Sequence, residues 1–167
     1  NIDSFFEANI GLTNDIPEFN LFDNDNKIFT RPRLLPPSKF QKTTIEKSLI
    51  SEGCIIHAKE IHQSVIGIRS RIGEGTVIKN CYVMGNDFYQ SIDDMKEDVS
   101  NNKQLVGIGE RCFINNAIVD KNCRIGNDVY INGGSHLENF SNELYAIKDG
   151  IVVIKKGVII PDNFSIK

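Results

Sequence analysis

From residue 44 onward the hydrophobic positions keep a period that is neither helical nor that of a simple alternating strand. Large apolar residues fall at Leu49, Ile55, Ile61, Ile66, Ile72, Ile78 and Met84, six residues apart except for one step of five between Ile61 and Ile66. A second series, Ile108, Ile114, Val119, Ile125 and Ile131, again runs in sixes with one five. An offset of 53 residues lays Ile61, Ile66, Ile72 and Ile78 on Ile114, Val119, Ile125 and Ile131, and matches Arg71-Ile72-Gly73 with Arg124-Ile125-Gly126. Ile154, Ile160 and Ile166 form a third series. A period of six suits short flat strands separated by turns, each strand sending one large residue inward. Three such hexads close a coil of about eighteen residues, and stacked coils form parallel sheets. A β-branched residue packs well on a pleated surface, so Ile is the expected inward residue. Burying each contributes roughly 1.5–3 kcal/mol, and about a dozen aligned side chains set the register. Gly73, Gly75, Gly109, Gly126 and Gly157, with Asn122 and Asn127, fall between the large residues, where turns are expected to need unusual backbone angles.

The rest of the chain does not share this period. Residues 3–13 read as a short helix, with Ile2, Phe5, Phe6 and Ile10 at helical spacing and Asp3 or Ser4 as its cap. A helix this short must pack on something to persist. Residues 14–43 read as an extended linker broken by Pro17, Pro32, Pro36 and Pro37, and pinned to a surface by Phe19, Leu21, Phe22, Ile28 and Phe29. Within the coil domain, 44–167, two stretches leave the repeat. Residues 85–105 are polar and acidic, with a helical turn at 91–99 and Phe88 and Tyr89 as anchors, and residues 132–149 form a second excursion. The fold class that follows is mainly β, a parallel β-helix of hexapeptide repeats preceded by a short helix and a linker.

Composition narrows the function. The 167 residues include 25 Ile, 18 Asn and no Trp, with 40% hydrophobic and 25% charged residues, enough for one substantial core. A net charge of −3 gives no basic face for nucleic acid, and no apolar run reaches the roughly 18–20 residues that span a bilayer, so neither nucleic acid nor membrane is an expected partner. The chain opens on Asn1-Ile2-Asp3-Ser4, which reads as a piece of a longer polypeptide. Cys54, Cys81, Cys112 and Cys123 form no CxxC pair and read as reduced thiols packed at coil faces in a cytosolic protein. Hexads alone leave an acyltransferase, a γ-type carbonic anhydrase and a nucleotidyltransferase open. The first needs a His base in a cleft and the second three His around a metal. His57 and His62 fall on successive hexads and His136 in an excursion, a spacing that gathers no such set.

Longer motifs go further. Ile2-Asp3-Ser4-Phe5-Phe6-Glu7-Ala8-Asn9 and Phe29-Thr30-Arg31-Pro32-Arg33-Leu34-Leu35-Pro36-Pro37-Ser38-Lys39 closely resemble the tail of the glucose-1-phosphate adenylyltransferase (ADP-glucose pyrophosphorylase) family. So do Ser51-Glu52-Gly53-Cys54, Ser64-Val65-Ile66-Gly67-Ile68-Arg69-Ser70-Arg71, Ala117-Ile118-Val119-Asp120-Lys121-Asn122 and Gly150-Ile151-Val152-Val153-Ile154-Lys155. The resemblance implies a left-handed coil, against the usual crossover hand. It also implies a parent enzyme that makes ADP-glucose from ATP and glucose 1-phosphate for glycogen or starch synthesis, in the cytoplasm or, in a plant, the plastid. In that family an N-terminal nucleotidyltransferase domain carries a glycine-rich loop and binds Mg²⁺. The chain has no such loop, so the resemblance implies a regulatory and oligomerisation region, inactive alone, whose first helix belongs to its own catalytic domain and which assembles as a tetramer. It further implies that Arg33, Lys121 and Lys155, with Arg31 ranked below them, bind an anionic effector, a phosphorylated metabolite. A planar guanidinium offers a fork to phosphate oxygens and an ammonium a flexible point charge, although the ordinary fate of such residues is a solvated surface.

Overall fold

The periodic apolar residues resolve into three columns, one behind each face of a prism of coils. The computed structural model describes residues 1–29 and 32–167. On the first face, strands Lys39–Phe40, Ile55–Ile56, Arg71–Ile72, Gly107–Ile108, Arg124–Ile125 and Ile159–Ile160 pair in parallel and stack Ile56, Ile72, Ile108, Ile125 and Ile160. The second face begins at Thr44–Glu46 and Glu60–His62 and ends at Tyr130–Asn132 and Ser165–Ile166, stacking Ile45, Ile61, Ile78, Ile114, Ile131 and Ile166. The third, from Leu49–Ile50 and Val65–Ile66 to Ile151–Ile154, stacks Ile50, Ile66, Val83, Val119 and Ile154. Strands Val77–Val83 and Phe113–Val119 bend round a corner and serve both the second and third faces. This is the parallel β-helix expected from the period.

Three expected inward residues are displaced by one position. Leu49, Ile55 and Met84 are only half-buried, while Ile56 and Val83 are buried in the columns and Ile50, half-buried itself, packs on the core in register with Ile66. Met84 is displaced because the corner between the second and third faces is one residue short in successive coils, and Ile55 and Leu49 because the corner between the first and second faces also steps by only five, from Ile56 to Ile61. The columns step by five from Ile45 to Ile50, Ile61 to Ile66, Ile78 to Val83 and Ile114 to Val119. Each of these corners turns through one left-handed residue: Lys47 (φ 45°), Gln63 (φ 45°), Asn80 (φ 47°) or Asn116 (φ 52°). Among the turn residues expected from sequence, Gly75, Gly157 and Asn122 have φ of 75°, 71° and 62°. Gly73 and Gly109 do not have positive φ. A Cβ there would lie 2.5 and 2.4 Å from the carbonyl oxygens of Gly109 and Gly126 on the next coil, so close approach, not backbone angle, requires glycine.

The cysteines occupy corners rather than coil faces. Ser64 Oγ donates to the His62 carbonyl (2.7 Å) and accepts from the Cys81 N–H (3.1 Å) of the next coil, and Cys81 Sγ donates in turn to the Ile114 carbonyl (3.4 Å). Thr76 and Cys112 repeat the pattern at another corner, with Thr76 Oγ1 to Gly109 O at 2.8 Å and Cys112 Sγ to Gly126 O at 3.2 Å. Small donors therefore plug each corner and satisfy carbonyls that the ladders leave over. All four thiols are free and buried. Burial pushes Cys81 up to about 12 and Cys123 up to about 11.

Helix α1 (Ile2–Gly11) is capped by Asn1, whose Oδ1 accepts from the Ser4 N–H (2.7 Å), rather than by Asp3 or Ser4. It lays Phe6 and Ile10 on Ile118 and Ile151 across the outside of the third face. The linker residues Phe19, Leu21, Phe22, Ile28 and Phe29 are exposed, so they do not pin that segment. The chain is tied instead where Ser38 Oγ donates to the Ser51 carbonyl (2.6 Å) and Lys39–Phe40 enters the first face. Helix α2 (Ile92–Ser100) crowns the first excursion, with Ser91 and Asp94 forming a capping box. Its Asp98 accepts from Arg124 Nη1 (2.5 Å) and Gln90 Nε2 (2.6 Å), which ties the excursion to the first face. Tyr89 anchors the loop by donating to the Gly53 carbonyl (2.9 Å). The second excursion folds back through Phe140–Ser141 and Tyr145–Lys148, antiparallel to Ile151–Ile154.

Two outcomes test this packing. Ile125→Asp leaves a lone charge in a closed column and should abolish the cooperative thermal transition seen by circular dichroism, whereas Ile125→Val should cost about 1 kcal/mol. A wild-type melting curve for Ile125→Asp would place Ile125 outside the core. The thiols predict alkaline instability. The unfolded chain ionises near the ordinary value of 9.0 while the folded thiols stay protonated. Stability is therefore intact below about pH 9 and declines as pH rises toward the folded values. Cys81→Ser should flatten that decline when urea midpoints at about pH 8 and about pH 10.5 are compared.

Candidate functional site

The corner between the third and first faces carries the expected lysines. Strand Phe113–Val119 ends there in Asp120-Lys121-Asn122, and Ile151–Ile154 ends one coil away in Lys155-Lys156-Gly157. Val119 pairs with Ile154, the Asp120 N–H donates to the Ile154 carbonyl (3.0 Å), and the Gly157 N–H donates to the Lys121 carbonyl (2.9 Å). This register sets the two segments side by side. Asp120 Oδ1 accepts from the Lys121 N–H (2.6 Å), and Asn122 turns the chain in the left-handed region.

The structure thus brings Lys121 and Lys155 onto neighbouring coils, but sends their ammonium groups to different partners. Lys121 Nζ lies 2.8 Å from Asp87 Oδ1, at the start of the first excursion. Lys155 Nζ donates to Ser141 Oγ (3.3 Å) and to the Asn142 carbonyl, both in the second excursion. Lys156, not among the residues expected from sequence, faces Asp87 instead, with Nζ 4.0 Å from Oδ2. Asn122 completes the contact, its Nδ2 donating to Asp87 Oδ2 (3.0 Å) and its Oδ1 accepting from the Asp87 N–H (2.8 Å). The bond from Lys121 holds the Asp87 carboxyl below the usual carboxylate range. Arg33 is exposed in the strap that leads to Ser38, and no carboxylate among the described residues pairs with it. Arg31 lies outside the described residues.

The sequence signal for Lys156 was available in the Lys155-Lys156 doublet. Asp87 carried none, because it stands in a non-repeating stretch, thirty-four residues from its lysine. The histidines lie apart. His57 follows the first-face strand Ile55–Ile56, with Nε2 buried and unpartnered, and His62 sits on the second face 3.7 Å from Glu46. His136 is exposed in the second excursion. His57 lines a groove of about 390 Å³ on the first face, walled by residues 102–106 and floored by Gly73, Gly109 and Gly126. Among the described residues no three His, Cys, Asp or Glu side chains gather as a metal site requires, and no helix is long and apolar enough to cross a membrane.

Comparison with known families bears on the whole arrangement. Residues 33–165 match the model of the GLGC left-handed parallel β-helix domain. The match takes in every coil from the first strand to the last, both excursions and the lysine corner, and it identifies the hand of the coil as left. The chain therefore belongs to the GLGC left-handed β-helix family, as the C-terminal part of a glucose-1-phosphate adenylyltransferase (ADP-glucose pyrophosphorylase) type of protein.

Proposed function

We propose that the chain is the regulatory and assembly region of an enzyme that makes ADP-glucose from ATP and glucose 1-phosphate, and that the lysine corner receives a phosphorylated effector. One observation carries this reading: the strands that support helix α1 run directly into the lysines. Ile118 and Val153 pack with α1, and three and two residues further on stand Lys121 and Lys155. An anion drawing on those strand ends therefore acts on the seat of α1, the segment that leads back toward a catalytic domain. Differential binding at the corner then biases the catalytic domain between two states. The ATP and Mg²⁺ chemistry belongs to that domain, and this chain alone is not expected to turn over.

Assembly follows from the same architecture. The stack ends on the strand edges of Lys39–Phe40 and Ser165–Ile166, with Phe40, Ile45, Tyr130 and Ile159 exposed nearby, and solenoid ends of this kind are capped or buried in partners. The test is Lys121→Ala and Lys155→Ala in the complete enzyme. Basal turnover should persist while the activator concentration for half-maximal response rises about tenfold, the loss of one charge-assisted contact. Unchanged activation in both variants would return these lysines to the solvated surface.

A further inference from the structure

The corner already holds an anion, and that anion belongs to the chain. Asp87 presents one oxygen to Lys121 at 2.8 Å and the other to Asn122 at 3.0 Å, with Lys156 at 4.0 Å. Two ammonium groups and a side-chain amide converge on one small oxyanion, the donor set that would seat a phosphoryl group with its additional acceptor oxygens. We propose that Lys121, Asn122 and Lys156 form the effector cradle and that Asp87 is its built-in occupant, which a phosphorylated ligand must displace. This rests on the anion-site reading above and adds to it two cradle residues and a competitor.

The local structure suits such an exchange. The neighbouring Asn86 is buried and doubly tied, its N–H donating to the Ile68 carbonyl (2.9 Å) and its Nδ2 to the Arg69 carbonyl (2.9 Å). Asp87 itself is exposed. The backbone can therefore stay anchored at Asn86 while the Asp87 side chain rotates out, at the loss of its contacts to Lys121 and Asn122. A tethered carboxylate acts at a high effective concentration, so it weakens every free anion by the fraction of time that it occupies the cradle. The same carboxylate keeps two cations from repelling each other when no effector is present.

The experiment titrates inorganic phosphate into the wild-type chain, into Asp87→Asn, Asp93→Asn, Lys121→Ala and Lys156→Ala variants, and into Asp87→Asn combined with each lysine variant, by isothermal titration calorimetry at fixed ionic strength. A thermal melt of each variant verifies the fold. Asp93 stands in the same excursion, with its carboxylate exposed beside Lys96, so it controls for net charge alone. Asp87→Asn should bind phosphate about tenfold more tightly than wild type, Asp93→Asn should not, and adding Lys121→Ala or Lys156→Ala to Asp87→Asn should remove the gain. Equal affinity in Asp87→Asn and wild type, with Lys121→Ala still weaker, would overturn the occupant while leaving the lysine site standing. An equal gain from Asp93→Asn would reduce the effect to net charge, and a gain that survives Lys156→Ala would remove that residue from the cradle. Failure of phosphate to bind even in Asp87→Asn would overturn both the occupant and the site.

Discussion

Every coil of this protein has to set one branched apolar side chain over the equivalent side chain of the coil beneath, on three faces at once. Ile56, Ile61, Ile66, Ile72, Ile78, Ile114, Ile125, Ile131, Ile154 and Ile160 are fully enclosed, so the interior of the prism is a single layer of side chains with no second shell behind it. The main-chain bonds run between coils, as where Ile55 N–H donates to Ser70 O and His57 N–H to Ile72 O. A single coil therefore closes neither its hydrogen bonds nor its core, and each depends on both neighbours. This leaves no latitude on the inner faces for chemistry. Variation is confined to the corners and to the two segments that leave the stack.

The corners have their own constraint, since each must reverse the chain within a few residues and still satisfy its carbonyls. Hydroxyls and thiols do the second task, and a left-handed residue does the first. Between the third and first faces that residue is Gly53, Arg69, Asn122 or Gly157 in different coils. Glycine turns there at least steric cost but brings no side chain. Asn tolerates the same backbone region and keeps a polar group. At Asn122 the amide is used, since both its oxygen and its nitrogen contact Asp87. One residue thus answers a folding requirement and ties the first excursion to the corner.

Much of the fold was legible because the period is carried by residues that differ sharply from their surroundings. Ile72 and Ile125 each stand between an arginine and a glycine, and their inward placement follows from the spacing alone. The displaced positions share a different feature. Leu49-Ile50, Ile55-Ile56 and Val83-Met84 are adjacent apolar pairs, and a six-residue rule cannot say which member turns inward. The five-residue corners decide it, and those corners are visible only once the register of coils is known. The linker failed for a related reason. Phe19, Phe22 and Phe29 are apolar yet exposed, since hydrophobicity without a period does not specify what a side chain packs against. At the corner, Lys121 and Lys155 stand out because they lie in long motifs. Lys156 shows only as the second member of a doublet, and Asp87 not at all, because its contact depends on which coil meets which excursion.

The two excursions meet at the same corner, and each restrains one of its lysines. Asp87 of the first holds Lys121, while Ser141 and Asn142 of the second hold Lys155. Neither restraint involves the isoleucine columns. The strength of an anion site built here is therefore set by how firmly two loops grip their own lysines, a quantity that can change without disturbing the stack. A repeat fold has little capacity for local change within its coils, because any shift of one coil is resisted by the next. Placing the adjustable contacts on segments outside the repeat, and letting them converge where the strands beneath α1 end, separates the tuning of the site from the stability of the scaffold. On the proposed regulatory reading, the rigidity that excludes chemistry from the inner faces is what would carry a change at the corner, along Phe113–Val119 and Ile151–Ile154, to the helix resting on them.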